Sequence, residues 1–406
     1  MNSRNKNAVI IGAGIVGLSS AYRLACEGYD VTLVEQESEP ALGTSHANAG
    51  QLIYNFGAMG SPSFLKNLPK TLLHPSRHGV IAAALCHPKN WPWAASFIGQ
   101  CSPQQWQNNS LKLIKMANRT REALHTLKEQ HDIDFNWRGE GKIIIHETEA
   151  DLIAAEKTAE FQRNHGGNHQ VIGRNECLEL EPALKESTRK IAGGTYLADA
   201  EIGDCNLFCQ KLAGVLTNKF KAKIHYDVKV EAIIREKNQI AALKTSKGMI
   251  DGDIFIMCTG VNGLKLLPDS FAGKKPIIGV KGISLTYPIG NCPPNLSATD
   301  TAGKFVVARL GDQIRVAGYA IFSDNLAINP KHVSLLAKKA KALMPEAANY
   351  DEDPVAWTGL RPQTPDDLPM IGKAGFENLY INAGHGSSGW ILALGSAEEL
   401  LEKINE

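Results

Sequence analysis

Apolar residues open the chain as an unbroken run, Ala8-Val9-Ile10-Ile11, which passes directly into Gly12-Ala13-Gly14-Ile15-Val16-Gly17. A short apolar run bounded by a turn signal predicts a buried strand. The next segment, LSSAYRLACEG, has helical spacing and stops at Gly28, and DVTLVE predicts a second strand. Strand, glycine turn, helix and strand make a βαβ unit.

Between about 60 and 170 the period is helical. Leu113, Met116, Thr120, Leu124 and Leu127 share one face, and they precede an apolar strand KIIIH at 142–146. A further helix runs from about 150 to Gly166, with Thr148 as its N-cap. From 192 onward GGTYL, a helix after Asp204, then KIHYD, KVEAIIREKNQIAALKTS and DIFIMCTG read mostly as strands, with turn signals at Lys237-Asn238 and Lys247-Gly248. Residues 276–330 are again strand-rich and lead to a helix ending near 343. LPMIG, NLYIN and a last helix from about 388 to 404 close the chain.

Because nucleotide-fold patterns return near 205 and 360, two domains are expected to interleave. The expected fold class is α/β: a Rossmann-like domain of residues 1–60, 170–265 and 355–406, and an α+β domain of residues 61–169 and 266–354 on a mostly antiparallel sheet.

Composition narrows the function classes. The 406 residues, 43% hydrophobic and 21% charged, suit a soluble globular protein of about two domains. Forty-three basic against forty-two acidic residues, with no basic block, argue against nucleic acid. The eight cysteines are scattered without a C-x-x-C pair, which favours a cytoplasmic setting. Cys205 and Cys209 lie one helical turn apart with no histidine at zinc spacing, so no metal is expected. The opening run is too short and glycine-rich for a signal segment, and no run reaches the ~18 apolar residues of a membrane span.

Gly12, Gly14 and Gly17 allow backbone to approach a pyrophosphate at a helix N-terminus. Glu35 closes the second strand, 23 positions beyond Gly12, where a carboxylate accepts from a ribose hydroxyl. That acid disfavours a 2′-phosphate and so argues against NADP, but the motif leaves NAD and FAD open. A second glycine-rich loop, NAGHGSSGW at 382–390, lies between a strand and a helix and offers bare backbone to a flat ligand.

Four segments resemble the D-amino-acid oxidase and glycine oxidase superfamily, and most closely its bacterial D-amino-acid dehydrogenase branch. They are VIIGAGIVGLSSAYRLACEGYDVTLVE, GTSHANAGQL at 43–52, MCTGVNG at 257–263, and WTGLRPQTPDDLPMIG with NLYINAGHGSSGW at 357–390. LELEPAL at 178–184 and GVKGISL at 279–285 extend the likeness. The resemblance implies FAD, held by Gly12, Gly14, Gly17, Glu35, Gln36, Thr44, Ser45, Asn48, Ala49, Gly50, Gln51, Leu52, Val230, Thr259, Gly260, Gly384, Gly386, Ser387, Ser388 and Gly389. It implies that Arg361 clamps a substrate carboxylate, with Tyr54 and His385 as further substrate contacts. A planar, permanently charged guanidinium suits that role, although an arginine there can also serve a structural ion pair.

The implied reaction is oxidative deamination of a D-amino acid, with electrons passed to a respiratory quinone. Glycine oxidases carry a second arginine in the loop that here reads His385-Gly386-Ser387-Ser388, which favours the dehydrogenase branch. A secondary-amine or imino-acid oxidase is the alternative, and a non-redox binding protein on the same fold a remote one. Some relatives attach flavin through a histidine; His46 lies near that position, and non-covalent binding is expected. The segment 79–100, with Trp91 and Trp93, suits either a core helix or peripheral contact with a membrane.

Overall fold

The computed structural model describes residues 5–62, 80–81 (backbone only), 87–267, 271 and 275–406. The first strand, Asn7–Ile11, lies inside a six-stranded sheet. In order the strands are Met370–Lys373, Leu379–Ala383, Ile254–Met257, Asn7–Ile11, Asp30–Val34 and Lys223–His225, and all neighbours are parallel except the first pair. The βαβ unit forms as its pattern predicts, with the helix at Ile15–Cys26.

Alternation along the first strand explains how the sheet is covered. Ala8 and Ile10 face a core shared with Leu18, Phe208, Leu212 and Leu392 of three helices, Ile15–Cys26, Cys205–Lys219 and Gly389–Asn405. Val9 and Ile11 face the other way, onto Ile240 and Leu243 of a three-stranded antiparallel sheet, Val230–Glu236, Gln239–Thr245 and Gly248–Asp251. A buried parallel sheet needs cover on both faces, and here helices supply one side and a small sheet the other. Asp204 caps its helix by accepting from the amides of Asn206 and Leu207, and Thr148 and Asp151 form a capping box at Glu149–Arg163.

The larger, nine-stranded sheet runs Val355–Gln363, Ile278–Pro288, Gln313–Phe322, Phe305–Leu310, Ser297–Asp300, Lys142–His146, Gly193–Leu197 and His169–Gly173, with Val80–Ile81 beside Gln313–Phe322. One face packs Ile143, Ile283, Leu285, Val307 and Val316 against the helix Pro330–Leu343. The opposite face carries Lys142, Gly282, Arg315, Trp357, Gly359 and Arg361 by alternation.

Pairing places some segments differently from the domain boundaries expected above. Strands Gly193–Leu197 and Val355–Gln363 belong to the larger sheet, because side-chain periodicity predicts a strand without saying which sheet satisfies its backbone. The 29-residue helix Pro103–His131 buries Leu113, Met116 and Leu124 in the core of the parallel-sheet side. It lies so close to the last helix that a Cβ on Gly395 would sit 2.2 Å from the Met116 carbonyl, and the Gly395 amide donates to Thr120 Oγ1 at 2.9 Å.

No described helix is long and apolar enough to cross a membrane. Trp93 is 1% exposed and its Nε1 donates to the Gln363 carbonyl, whereas Trp91 on the same helix is 59% exposed. Cys86 and most of the 79–86 run lie outside the described residues. The seven described cysteines are free, and Cys205 and Cys209 are buried packing residues of one helix.

Candidate cofactor and substrate site

The glycine turn is built by close backbone approach. Gly12 has φ +103, and a Cβ there would lie 2.6 Å from the Cys258 carbonyl; one on Gly17 would lie 1.8 Å from the Gly12 carbonyl. Gly14 stands at the N-cap of Ile15–Cys26, and that helix has no acidic residue in its first turn. Ser45 Oγ accepts from the Ile15 amide at 3.1 Å. Glu35 accepts from the Ala13 amide at 2.6 Å through Oε2 and from the Glu37 amide at 3.1 Å through Oε1, which fixes its carboxylate beside the turn. Gln36 is exposed and donates to Glu37. A helix whose own first turn carries no acid suits a diphosphate at its start.

The segment 44–52 is held from the larger sheet. Thr44 Oγ1 donates to the Leu360 carbonyl at 2.7 Å, Arg315 donates to the Asn48 carbonyl at 3.1 Å, and Lys142 Nζ donates to Gln51 Oε1 at 2.7 Å. Gln51 in turn donates to Ser297, and Asn48 Oδ1 accepts from the Gly50 amide. Gly50 has φ +69, and its missing Cβ leaves room for Leu310 and the Gly203 carbonyl. Leu52 is fully buried and Ala49 half-buried. Arg315 and Lys142 escaped the sequence reading. Burial lowers both, Lys142 to about 7, and the only signal was a cation inside an apolar strand.

The loop after Leu379–Ala383 turns through Gly384 (φ +86) and Gly386 (φ +55), whose Cβ positions are taken by Thr364 and Gln363. Ser387 is exposed, Ser388 buried, and Gly389 begins a helix with no acid in its first turn. His385 is packed inside the protein. It is 2% exposed, its Nε2 meets Ser396 Oγ at 2.9 Å, and burial, reinforced by the Lys275 cation, pushes its imidazole down to about 3. Thr259 packs against Gly263, Gly260 (φ +60) faces open space, and Val230 lies half-buried on the small sheet.

Arg361 projects from the strand above segment 44–52. Its Nη1 donates to the Tyr319 carbonyl at 2.9 Å, and among the described residues no carboxylate pairs with it. Burial lowers its pKa. Tyr319 has φ +67 beside an irregularity in the strand pairing, which turns its carbonyl toward the guanidinium. Tyr54 is elsewhere. It is 2% exposed, and its hydroxyl donates to Glu201 Oε2 at 2.8 Å, where Trp137 Nε1 and His125 also meet that buried carboxylate. The hydroxyl proton of Tyr54 is thus committed to Glu201.

His46 is half-buried, its ring 5.9 Å from that of Trp357, and its Nδ1 has no partner. Burial, aided by Arg315, lowers its pKa. Arg315 Nε, Ser284 Oγ and Thr299 Oγ1 are likewise buried without partners. Orphaned polar groups at this face, a glycine cradle, and two helix starts free of acid fit a flavin dinucleotide and a small polar ligand.

Comparison with known proteins agrees. Residues 7–403 match the family described as FAD dependent oxidoreductase. The chain is 33% identical over 401 residues to a D-amino acid dehydrogenase of Vibrio vulnificus (strain YJ016), covering 98% of this chain and 95% of that protein. D-amino acid dehydrogenase 1 of Mesorhizobium japonicum is 31% identical over 399 residues, covering 97% and 94%. Two solved structures share the fold. Glycine oxidase from Bacillus cereus ATCC 14579 gives a TM-score of 0.74 at 20% identity, with 99% of this chain and 95% of that one covered. L-proline dehydrogenase from P. horikoshii gives 0.74 at 20%, covering 98% and 93%. The chain therefore belongs to the family of FAD-dependent oxidoreductases, and FAD is its cofactor.

Proposed function

We propose that this protein is a D-amino-acid dehydrogenase that converts a D-amino acid to a 2-oxo acid and ammonia. The observation that carries this reading is Arg361, a half-buried cation with a carbonyl partner and no carboxylate among the described residues. A guanidinium so placed recruits an anion, and its fork holds a carboxylate bidentately. The full-length likeness to D-amino acid dehydrogenases supports the substrate.

Gly12, Gly14, Gly17 and Glu35 would hold the dinucleotide, and segment 44–52 with Gly384–Gly389 the flavin ring. When bound, FAD would supply the two-electron acceptor for oxidation of the substrate carbon that bears the amine. Arg361 fixes the carboxylate and so the orientation of that carbon. The start of helix Gly389–Asn405, with no acid in its first turn, favours negative charge nearby. The amine enters neutral, so loss of the hydride leaves a protonated imino acid and needs no protein base; water then hydrolyses it to the 2-oxo acid and ammonium. His385 is held neutral and bonded to Ser396, so it takes no proton.

The electrons go on to a respiratory quinone. Trp91 (59% exposed) and Ile98 (54% exposed) on the helix Trp91–Gln100 support contact with a membrane surface, where such an acceptor resides. Liposome flotation checks the contact, and its absence at every lipid charge would remove it. The reaction is tested by adding D- and L-amino acids, glycine and D-hydroxyproline anaerobically to FAD-loaded protein. D-amino acids alone should bleach the flavin band. Bleaching by D-hydroxyproline instead would make the substrate an imino acid, bleaching by glycine instead would make it glycine, and no bleaching by any compound would overturn the reading.

A further inference from the structure

Gly282 and Gly359 lie directly opposite each other on neighbouring antiparallel strands. A Cβ on Gly359 would fall 2.2 Å from Cη2 of the Trp357 indole, and one on Gly282 would fall 2.5 Å from Nη2 of Arg361. Cβ positions of such a pair are about 4.5–5.5 Å apart on one face of the sheet. The indole edge and the guanidinium therefore rest side by side on a shelf made of two missing side chains. Neither can sink toward the sheet, because backbone already lies beneath each. On its other side the indole meets His46, at 5.9 Å between ring centroids.

From this we infer that Trp357 is the specificity-determining wall of the site, limiting the substrate to short or medium apolar side chains. The inference rests on the carboxylate-anchoring role proposed for Arg361. A carboxylate held on that fork leaves its Cα one bond away, so the groups on Cα come within van der Waals reach of an indole seated next to the fork. Bulk at that position meets a rigid ring on the Gly359 seat. A methyl or a small branched group fits beside the ring and gains apolar contact with it.

Such a wall acts through discrimination. Change at the scale of a methylene alters relative turnover by about tenfold or more, so the ratio of kcat/KM for D-phenylalanine to that for D-alanine is the informative quantity. In Trp357→Ala this ratio should rise at least about tenfold, and Trp357→Phe should rise less. Gly359→Ala pushes the ring off its seat toward the guanidinium and should lower the ratio. A uniform loss for all substrates, with the ratio unchanged in all three variants, would make Trp357 a packing residue and overturn the inference.

A binding readout separates this idea from the reaction on which it rests. The perturbation of the visible flavin spectrum by straight-chain carboxylates from acetate to hexanoate, titrated into FAD-loaded protein, reports the length profile without turnover. A profile extended to longer acids in Trp357→Ala supports the wall, even if no D-amino acid is oxidised and the proposed substrate falls. Identical profiles in wild type and Trp357→Ala, alongside normal oxidation of D-amino acids, would remove the wall and leave the substrate. No response to any carboxylate in wild type would overturn both the anchor and the wall.

Discussion

Thr44 Oγ1 donates to the main-chain carbonyl of Leu360 at 2.7 Å, tying the segment proposed to hold the flavin to the residue beside Arg361. This bond joins two parts of the chain 316 positions apart and sets the height of the anchor over the segment. Replacing the hydroxyl with an isosteric methyl in Thr44→Val removes the donor and should cost about 1 kcal/mol at this contact. FAD affinity should then fall several-fold, with a matching rise in KM. Fluorescence titration of the apoprotein with FAD measures the first effect; an unchanged dissociation constant would show that the tie does not act on the cofactor.

Arg361→Lys keeps the charge but loses the fork, so bidentate orientation goes while attraction remains. We expect kcat/KM to drop by about 100-fold or more, with FAD still bound. Arg361→Gln should lose more, and both should fail to show spectral perturbation by carboxylates at concentrations that saturate wild type. Retained activity in Arg361→Gln would place the anchor elsewhere.

The βαβ unit and its glycine turn were legible in advance, because their pattern is local. The turn at Gly12–Gly17 and Glu35 falls within one βαβ unit, and glycines that need positive φ or bare backbone, such as Gly12, Gly384 and Gly386, announce themselves by type. Arg361 was legible through its motif. The partners of Tyr54 and His385 were not legible, since Glu201 and Ser396 lie 147 and 11 positions away. The pairing of Gly193–Leu197 with the larger sheet, and the docking of Pro103–His131 on the last helix, depend on which neighbour completes a backbone or a core. Local periodicity carries no such information.

The position of Tyr54 makes its variant a test of structure rather than of binding. Tyr54→Phe leaves Glu201 with Trp137 and His125 but removes one donor from a buried carboxylate. Loss of one hydrogen bond to a charged group costs about 1.5–3 kcal/mol, so the midpoint of thermal unfolding should fall. KM for the best substrate should stay within about twofold, since the buried hydroxyl is engaged with Glu201. A rise in KM well beyond that, at unchanged stability, would return Tyr54 to the substrate site.

Precipitating the holoprotein with acid tests how FAD is held. His46 has a free Nδ1 yet sits half-buried with its ring near Trp357, held neutral by burial and by Arg315. Non-covalent binding predicts a colourless pellet and a yellow supernatant. A yellow pellet that turns colourless in His46→Ala would establish attachment through that ring.

Acid sensitivity should trace to His385. Its imidazole is buried and neutral, with a folded value of about 3 against an ordinary 6.5. A lowered folded pKa means that the unfolded chain binds the proton first. The stability contribution of the neutral ring is thus complete above about pH 6.5 and is lost progressively as pH falls toward 3. At about 1.4 kcal/mol per unit, the loss amounts to a few kcal/mol. His385→Gln keeps a hydrogen-bonding group for Ser396 but cannot titrate, so its unfolding midpoint should decline less steeply than wild type between pH 7 and pH 4. Parallel curves for the two proteins, measured with FAD bound, would mean that other groups set the acid limit and that protonation of His385 is not coupled to unfolding.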